Sequence, residues 1–239
     1  MPKARGTPEK PVAGWMQAAV ARQMEMLKDL ETLVAIESPS DNKDAVDRAS
    51  EFAANRLQGL GGKVRRHRQK QFGDVLEVRF GGGRPRSTRP LLLLGHLDTV
   101  WPMGTLRGMP YRVDRGRAFG PGVYDMKAGV VMAVHALGML LEASKLTSPV
   151  ILLLNSEEEV GSPCSRAITE KTAAECSAVF VLEPAQGTEG AYKTARKGVG
   201  HYTVQVQGVA AHSGVDFEKG HSAILELARL LEKISHFTD

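Results

Sequence analysis

The 239-residue chain holds only two cysteines, Cys164 and Cys176, and they are not spaced as a C-x-x-C pair. That excludes a disulfide framework and a cysteine-rich zinc site, and it suits a reducing compartment. No apolar run approaches the roughly 18 residues of a membrane span. Residues 1–14, with their Pro, Lys and Gly, lack the apolar heart of a secretion signal and read as a disordered leader. A cytoplasmic protein without a membrane partner is the expectation. Internal repeats are absent. Lys and Arg give a formal net charge of +4, but they are scattered apart from Lys63-Val64-Arg65-Arg66-His67-Arg68, whose alternation reads as the solvated face of a strand. No nucleic-acid partner is expected. Gly120-Pro121-Gly122 lacks the Lys-Ser/Thr ending of a phosphate-cradling loop, which argues against phosphoryl transfer.

What is present is a regular alternation of helical and strand patterns. Apolar residues Met16, Val20, Met24, Leu27, Leu30, Leu33 and Val34 keep helical spacing over residues 15–36, and Pro39 stops that helix. Val46, Ala49, Phe52, Ala53, Leu57 and Leu60 repeat the pattern over 41–60, ended by Gly61-Gly62. Residues 63–69 and 74–80 alternate as two strands, and 81–89 reads as a flexible Gly-rich loop. The leucines 91–94, bounded by Pro90 and Gly95, are too few for a helix and suit a strand buried on both faces. A Gly- and Pro-rich loop follows, with a short hairpin at 111–119, then a helix over 126–141 that is apolar nearly all round. Buried strands at 150–154 and 178–182 flank a helix at 164–176.

Strands at 91, 150 and 178 separated by helices make βαβ units, hence an α/β fold with a mainly parallel sheet covered by helices. Beyond Arg196-Lys197-Gly198 the texture changes: 201–206 alternates like a half-exposed antiparallel strand, and an amphipathic helix over 221–234 carries Ile224, Leu227, Leu230, Leu231 and Ile234. This reads as the start of a smaller α+β domain. His67 and His236 read as solvent-exposed, and His135 as part of a packed helix.

Each of the three buried strands runs into chemistry. In an extended segment His96 and Asp98 project to one side; Asn155 is followed by Glu157, Glu158 and Glu159; the third strand ends in Glu183-Pro184; and Asp125 sits between a Gly-rich loop and a helix. Taken singly, each has an ordinary reading: Asp125 as a helix N-cap, Glu183 as a strand end, the Glu triplet as a solvated run, His212 as a turn residue. Gathered at the edge where open α/β sheets bind ligands, so many carboxylates would repel one another, and a pair of divalent cations is the simplest way to hold them together. Mixed N/O donors favour zinc, with manganese or cobalt also suited.

Five motifs in register then resemble the M20 family of di-zinc metallopeptidases, and within it the glutamate carboxypeptidase branch. They are Gly95-His96-Leu97-Asp98-Thr99-Val100, Gly120-Pro121-Gly122-Val123-Tyr124-Asp125-Met126-Lys127-Ala128-Gly129, Glu157-Glu158-Glu159-Val160-Gly161-Ser162, Glu183-Pro184 and Gly208-Val209-Ala210-Ala211-His212-Ser213-Gly214. The resemblance implies a three-layer zinc-exopeptidase-like catalytic domain over 15–198, and the first part of an inserted dimerisation or lid domain over 199–239. It implies that His96 and Glu183 bind one zinc, Glu159 binds the second and Asp125 bridges both. Asp98 would orient His96, Glu158 would be the general base, and His212 would stabilise the developing oxyanion in the partner subunit of a homodimer. Glu157 receives no role. The substrate implied is a small peptide or N-acyl amino acid with a free carboxylate, such as one releasing glutamate; Arg166 and Arg196 are weak candidates to contact it, with surface exposure their ordinary reading.

Family members continue past this length and supply a sixth ligand, a histidine, from their last section. The resemblance therefore implies a chain ending inside the insertion, with one zinc site better supplied than the other. The competing expectation is a catalytically impaired homologue that only binds metal or dimerises.

Overall fold

A computed structural model describes residues 10–81, 89–187 and 189–237. The chain divides into two compact units, Met1–Ala191 and Tyr192–Asp239. Most of the loop expected over 81–89 and the first nine residues of the expected leader lie outside the described residues.

In the first unit the expected long N-terminal helix is two helices, α1 (Lys10–Ala21) and α2 (Gln23–Ala35). They part at Arg22, whose backbone leaves helical geometry (φ −97, ψ 3) and whose guanidinium pairs with Glu142. Residues 10–14, expected in the leader, belong to α1. Helix α3 (Lys43–Gly59) starts where the Asn42 side chain accepts the Ala45 N–H at 3.1 Å, and Asp44 and Arg56 match the polarity of its two ends.

The main sheet has five strands: β1 (Lys63–His67), β2 (Val75–Phe80), β3 (Leu91–His96), β6 (Val150–Asn155) and β7 (Ala178–Val181), in the order β1-β2-β6-β3-β7. The expected βαβ strands β3, β6 and β7 are parallel, and β1 and β2 add antiparallel pairs, so the sheet is mixed. A separate hairpin, β4 (Arg112–Asp114) with β5 (Arg117–Phe119), occupies the long loop. Helices α4 (Ala128–Glu142) and α5 (Arg166–Glu175) complete this unit.

The period-2 geometry of β6 shows how the layers form. Val150, Leu152 and Leu154 pack in one cluster with α2, α3 and α4, while Ile151 and Leu153 face a second with Ile168 and Ala173 of α5. The sheet is thus sandwiched, and each fully buried leucine in it stabilises the fold by about 1.5–3 kcal/mol. One departure concerns the membrane: the stretch Val123–Glu142 is long and apolar enough to cross one, contrary to the sequence reading, but it is mostly buried, as the core helix of a packed unit is. Another concerns β7, expected to be buried. It is exposed along its length, with Phe180 at 54% and Val181 at 57%; among the described residues it is an edge strand that pairs with β3 alone, and its side chains join neither buried cluster.

His67 is not solvated; its Nε2 lies 2.7 Å from Glu77 Oε2 on the neighbouring strand. His135 is buried in α4, as expected, and its Nε2 lies 2.8 Å from Asp29 Oδ2.

In the second unit, helix α6 (Ala223–Ser235) forms with Ser222 as its N-cap, accepting the Leu225 N–H at 3.3 Å. The strand expected over 201–206 does not form. That stretch is irregular, and the backbone pairing nearby is an isolated bridge between Val209 and His221.

Candidate metal centre

Register decides what meets what. In the parallel ladder His96 lies opposite Asn155, and Leu94 opposite Val181, so the C-terminal ends of β6, β3 and β7 stand side by side. The chain segments leaving them therefore present His96 and Asp98, residues 157–159, and Glu183 to one region. Asp125 arrives from a wide turn, Val123–Lys127, closed by the Lys127 N–H to Gly122 O at 2.9 Å. Two glycines permit the approach. Gly122 has φ +67, and a Cβ there would meet Thr99 Cγ2 at 2.5 Å. At Gly129, in the first turn of α4, a Cβ would lie 2.0 Å from the Leu182 carbonyl oxygen, next to Glu183.

His96 is the hub. Its Nε2 lies 3.2 Å from Asp125 Oδ1, 3.5 Å from Glu183 Oε1 and 3.8 Å from Glu158 Oε2. Its Nδ1 faces Asp98, 3.0 Å from the carbonyl oxygen and 3.3 Å from Oδ1. Ligand atoms of His96, Asp125 and Glu159 lie within 4.8 Å of one another, and so do those of His96, Glu158 and Glu183. These are two clusters able to hold divalent cations. The donors expected from the sequence are all present, but the grouping differs: the clusters share His96 rather than Asp125, and Glu158 stands with Glu183. In both clusters the carboxylates gather round the His96 imidazole.

The charge balance supports that account. Burial works to lower the His96 pKa, but hydrogen bonds and charge from Asp98, Glu183 and Glu158 push it up to about 11. Burial raises Asp98, yet His96 and the Ser40 hydroxyl hold it below its usual range. Glu158 and Glu159 are raised by burial and further by the surrounding carboxylates, with His96 opposing. One imidazole thus faces five carboxylates, an excess of negative charge with one nitrogen and several oxygen donors. That donor set fits a divalent cation of the zinc, manganese or cobalt type, and the thiols of Cys164 and Cys176 belong to neither cluster.

The mouth is open: the Asp125 and Glu158 side chains are 52% and 47% exposed while His96 is 1% exposed. Beside it lies a cavity of about 330 Å³, walled by Leu94, Gly95, Met126 and Val181 and reaching Thr169 and Arg166. The Arg166 guanidinium is exposed and pairs with Glu170 at 2.8 Å. Arg196 is exposed in the second unit, as is His212, whose Nδ1 accepts the Gly214 N–H at 3.1 Å.

Several supporting residues were not singled out in the sequence. Glu157, left without a role, is wholly buried and accepts from Cys164 N (3.1 Å), Ser165 N (2.5 Å) and Ser156 Oγ (2.6 Å), which folds the loop that carries Glu158 and Glu159. Lys127 is 1% exposed, and its ammonium donates to Leu33 O (3.2 Å) and Ile36 O (2.7 Å) at the end of α2. Burial lowers its pKa to about 7, with Glu37 opposing. The signal available in the sequence was a lysine inside an otherwise apolar stretch, where a buried charge needs named partners.

Residues 92–235 match Peptidase family M20/M25/M40. Carboxypeptidase G2 of Pseudomonas sp. (strain RS-16) is 30% identical over 226 residues, covering 93% of this chain and 54% of that protein. Acetylornithine deacetylase of Myxococcus xanthus is 29% identical over 217 residues, covering 87% and 53%. The chain spans about half the length of the curated relatives it matches. Among solved structures, aminopeptidase PepT from Bacillus cereus superposes with a TM-score of 0.67 at 18% identity, covering 88% of this chain and 56% of that one. Human carnosine dipeptidase 1 superposes with a TM-score of 0.60 at 22% identity, covering 71% and 40%; both establish the fold. With the strand order, the clustered donors and the matched sequence in agreement, the chain belongs to the M20/M25/M40 peptidase family.

Proposed function

We propose that the site hydrolyses the amide bond of a small peptide or N-acyl amino acid, in the manner of a carboxypeptidase that releases a C-terminal residue such as glutamate. The observation that carries this reading is the convergence of His96, Asp125, Glu158, Glu159 and Glu183 at one sheet edge. The 30% identity to carboxypeptidase G2 supports the choice of branch.

In this reading His96, Asp125, Glu159 and Glu183 would hold two divalent ions. Bound ions of this kind polarise a scissile carbonyl and lower the pKa of an attacking water. Asp98, behind Nδ1, fixes the ring so that Nε2 faces the donors. Glu158 takes the proton from water and passes it to the leaving nitrogen; its carboxyl stands half-exposed at the mouth of the site. The second unit starts a dimerisation domain, and His212 serves the oxyanion across the dimer; a light-scattering mass of a single chain would count against that part.

The test is hydrolysis of N-acyl glutamates and dipeptides by the zinc-loaded chain, compared with Glu158→Gln. Loss of about 100-fold or more in kcat, with zinc stoichiometry unchanged, is expected. Turnover insensitive to Glu158→Gln, or no divalent ion bound by folded protein, overturns the reading.

A further inference from the structure

Residues 37–40, Glu37-Ser38-Pro39-Ser40, join α2 to α3 and contribute no donor to either cluster, but they clasp the loop that leaves β3. The Thr99 N–H donates to Ser38 O at 2.8 Å, and Pro39 and Thr99 form an isolated parallel bridge. Ser38 Oγ donates to Leu97 O at 2.7 Å, and Ser40 Oγ to Asp98 Oδ2 at 2.6 Å. Glu37 accepts Gly104 N at 2.7 Å and Leu106 N at 2.8 Å, tying down the chain farther along. Ser38 and Ser40 are buried.

The contact to Asp98 differs in kind from the others. Asp98 is 0% exposed, so its carboxylate lone pairs depend on protein donors. Oδ1 accepts Glu158 N at 3.1 Å and faces His96 Nδ1 at 3.3 Å; Oδ2 accepts Glu159 N at 3.1 Å and the Ser40 hydroxyl at 2.6 Å. One carboxylate thereby fixes the ring of one donor and the main chain of two more. Its terminal torsion is soft, and Ser40 is the shortest of its four contacts. Of the donors to Asp98 it is also the one contributed by neither the β3 loop nor the Glu158 loop.

We propose that Ser40 is a positioning residue of the metal centre, acting through Asp98 on His96 and on the Glu158-Glu159 backbone from 58 positions upstream. The proposal rests on the reading of the His96 cluster as a metal site. Ser38 supplies the control: its hydroxyl makes an equally buried bond, but to a main-chain oxygen that orients no donor side chain.

The experiment measures zinc affinity of the whole chain by competition with a chromogenic chelator, alongside the thermal midpoint. Ser40→Ala is expected to weaken zinc binding about tenfold or more, as loss of outer partners of a ligand does. Ser38→Ala is expected to lower the midpoint comparably while moving zinc affinity less than about threefold, and Ser40→Thr to restore binding. Ser40→Ala within about twofold of the unsubstituted chain, or Ser38→Ala losing as much affinity, overturns the proposal while leaving the metal reading intact. No zinc binding by the unsubstituted folded chain overturns both. If Ser40→Ala does not fold, the isosteric pair Ser40→Thr and Ser40→Val decides, since they differ only in the hydroxyl; equal affinities there refute the role.

Discussion

Glu157 offers the sharpest test of how the acidic loop is held. Its carboxylate is wholly buried, with Oε1 accepting Cys164 N (3.1 Å) and Ser165 N (2.5 Å), and Oε2 accepting Ser156 Oγ (2.6 Å) and Ser156 N (3.2 Å). In Glu157→Ala the Ser156, Cys164 and Ser165 N–H groups lose this acceptor, at about 1–3 kcal/mol for each one left buried and unpaired; Cys164 is only half-buried, so its share is the smallest. Ser156 Oγ still has Gly73 O at 2.6 Å. Removing a buried charge relieves some desolvation, so the net cost is about 2–4 kcal/mol. Glu157→Gln keeps one oxygen for Cys164 and Ser165 and its amide can donate to Ser156 Oγ, but the long bond from Ser156 N (3.2 Å) is lost, because an amide nitrogen cannot accept it. The cost there is the weaker bonding of a neutral acceptor, about 1–2 kcal/mol. Urea unfolding followed by circular dichroism at pH 7 separates the two, provided the slopes match. Equal midpoints for the Ala and Gln variants, or an Ala variant within about 0.5 kcal/mol of the unsubstituted chain, would refute the idea that these backbone bonds hold the loop.

Gly129→Ala should displace the Leu182 carbonyl, which lies 2.0 Å from the added Cβ, and with it Glu183; a loss of about 1–3 kcal/mol in urea unfolding and weaker zinc binding are expected. Leu57→Ala empties a fully buried position between α3 and the sheet and should cost about 2–5 kcal/mol without changing zinc affinity. For pH dependence, burial raises Glu77, but Arg79 and His67 outweigh it and hold the carboxyl below its usual range. A carboxyl depressed in the folded state stabilises above its unfolded pKa, and that contribution fades as acid protonates it. Glu77→Gln should therefore reduce stability at neutral pH and flatten the fall on acidification. An acid limb of unchanged steepness would contradict this.

The parts of the fold legible in the sequence were those in which a local pattern and its tertiary use coincide. Four leucines between Pro90 and Gly95, and Val150 to Leu154, suit strands covered on both faces; β6 is buried throughout and divides its side chains between two clusters, whereas in β3 only Leu92 of the four leucines is fully buried. Ala178 to Val181 has the same apolar texture, but it is an edge, and nothing in four residues reveals how many neighbours a strand has. The break at Arg22 was hidden for a related reason. The apolar spacing continues through it, and the interruption coincides with a pairing to Glu142, 120 positions away.

The same division runs through the candidate site. His96, Asp125, Glu159 and Glu183 stood out because cation binding needs those side-chain types, and each sits at a strand end or helix start that the pattern marks. The residues that tie the surrounding chain together are chemically ordinary: a serine, a lysine and another glutamate in a run. Ser40 meets Asp98 across 58 positions and Lys127 meets Leu33 across 94, so neither spacing leaves a local trace. Yet the burial of Asp98 makes such partners obligatory, since a carboxylate removed from water must find donors wherever the fold supplies them. A buried acid behind His96 therefore predicts that distant donors exist, and leaves only the structure to name them.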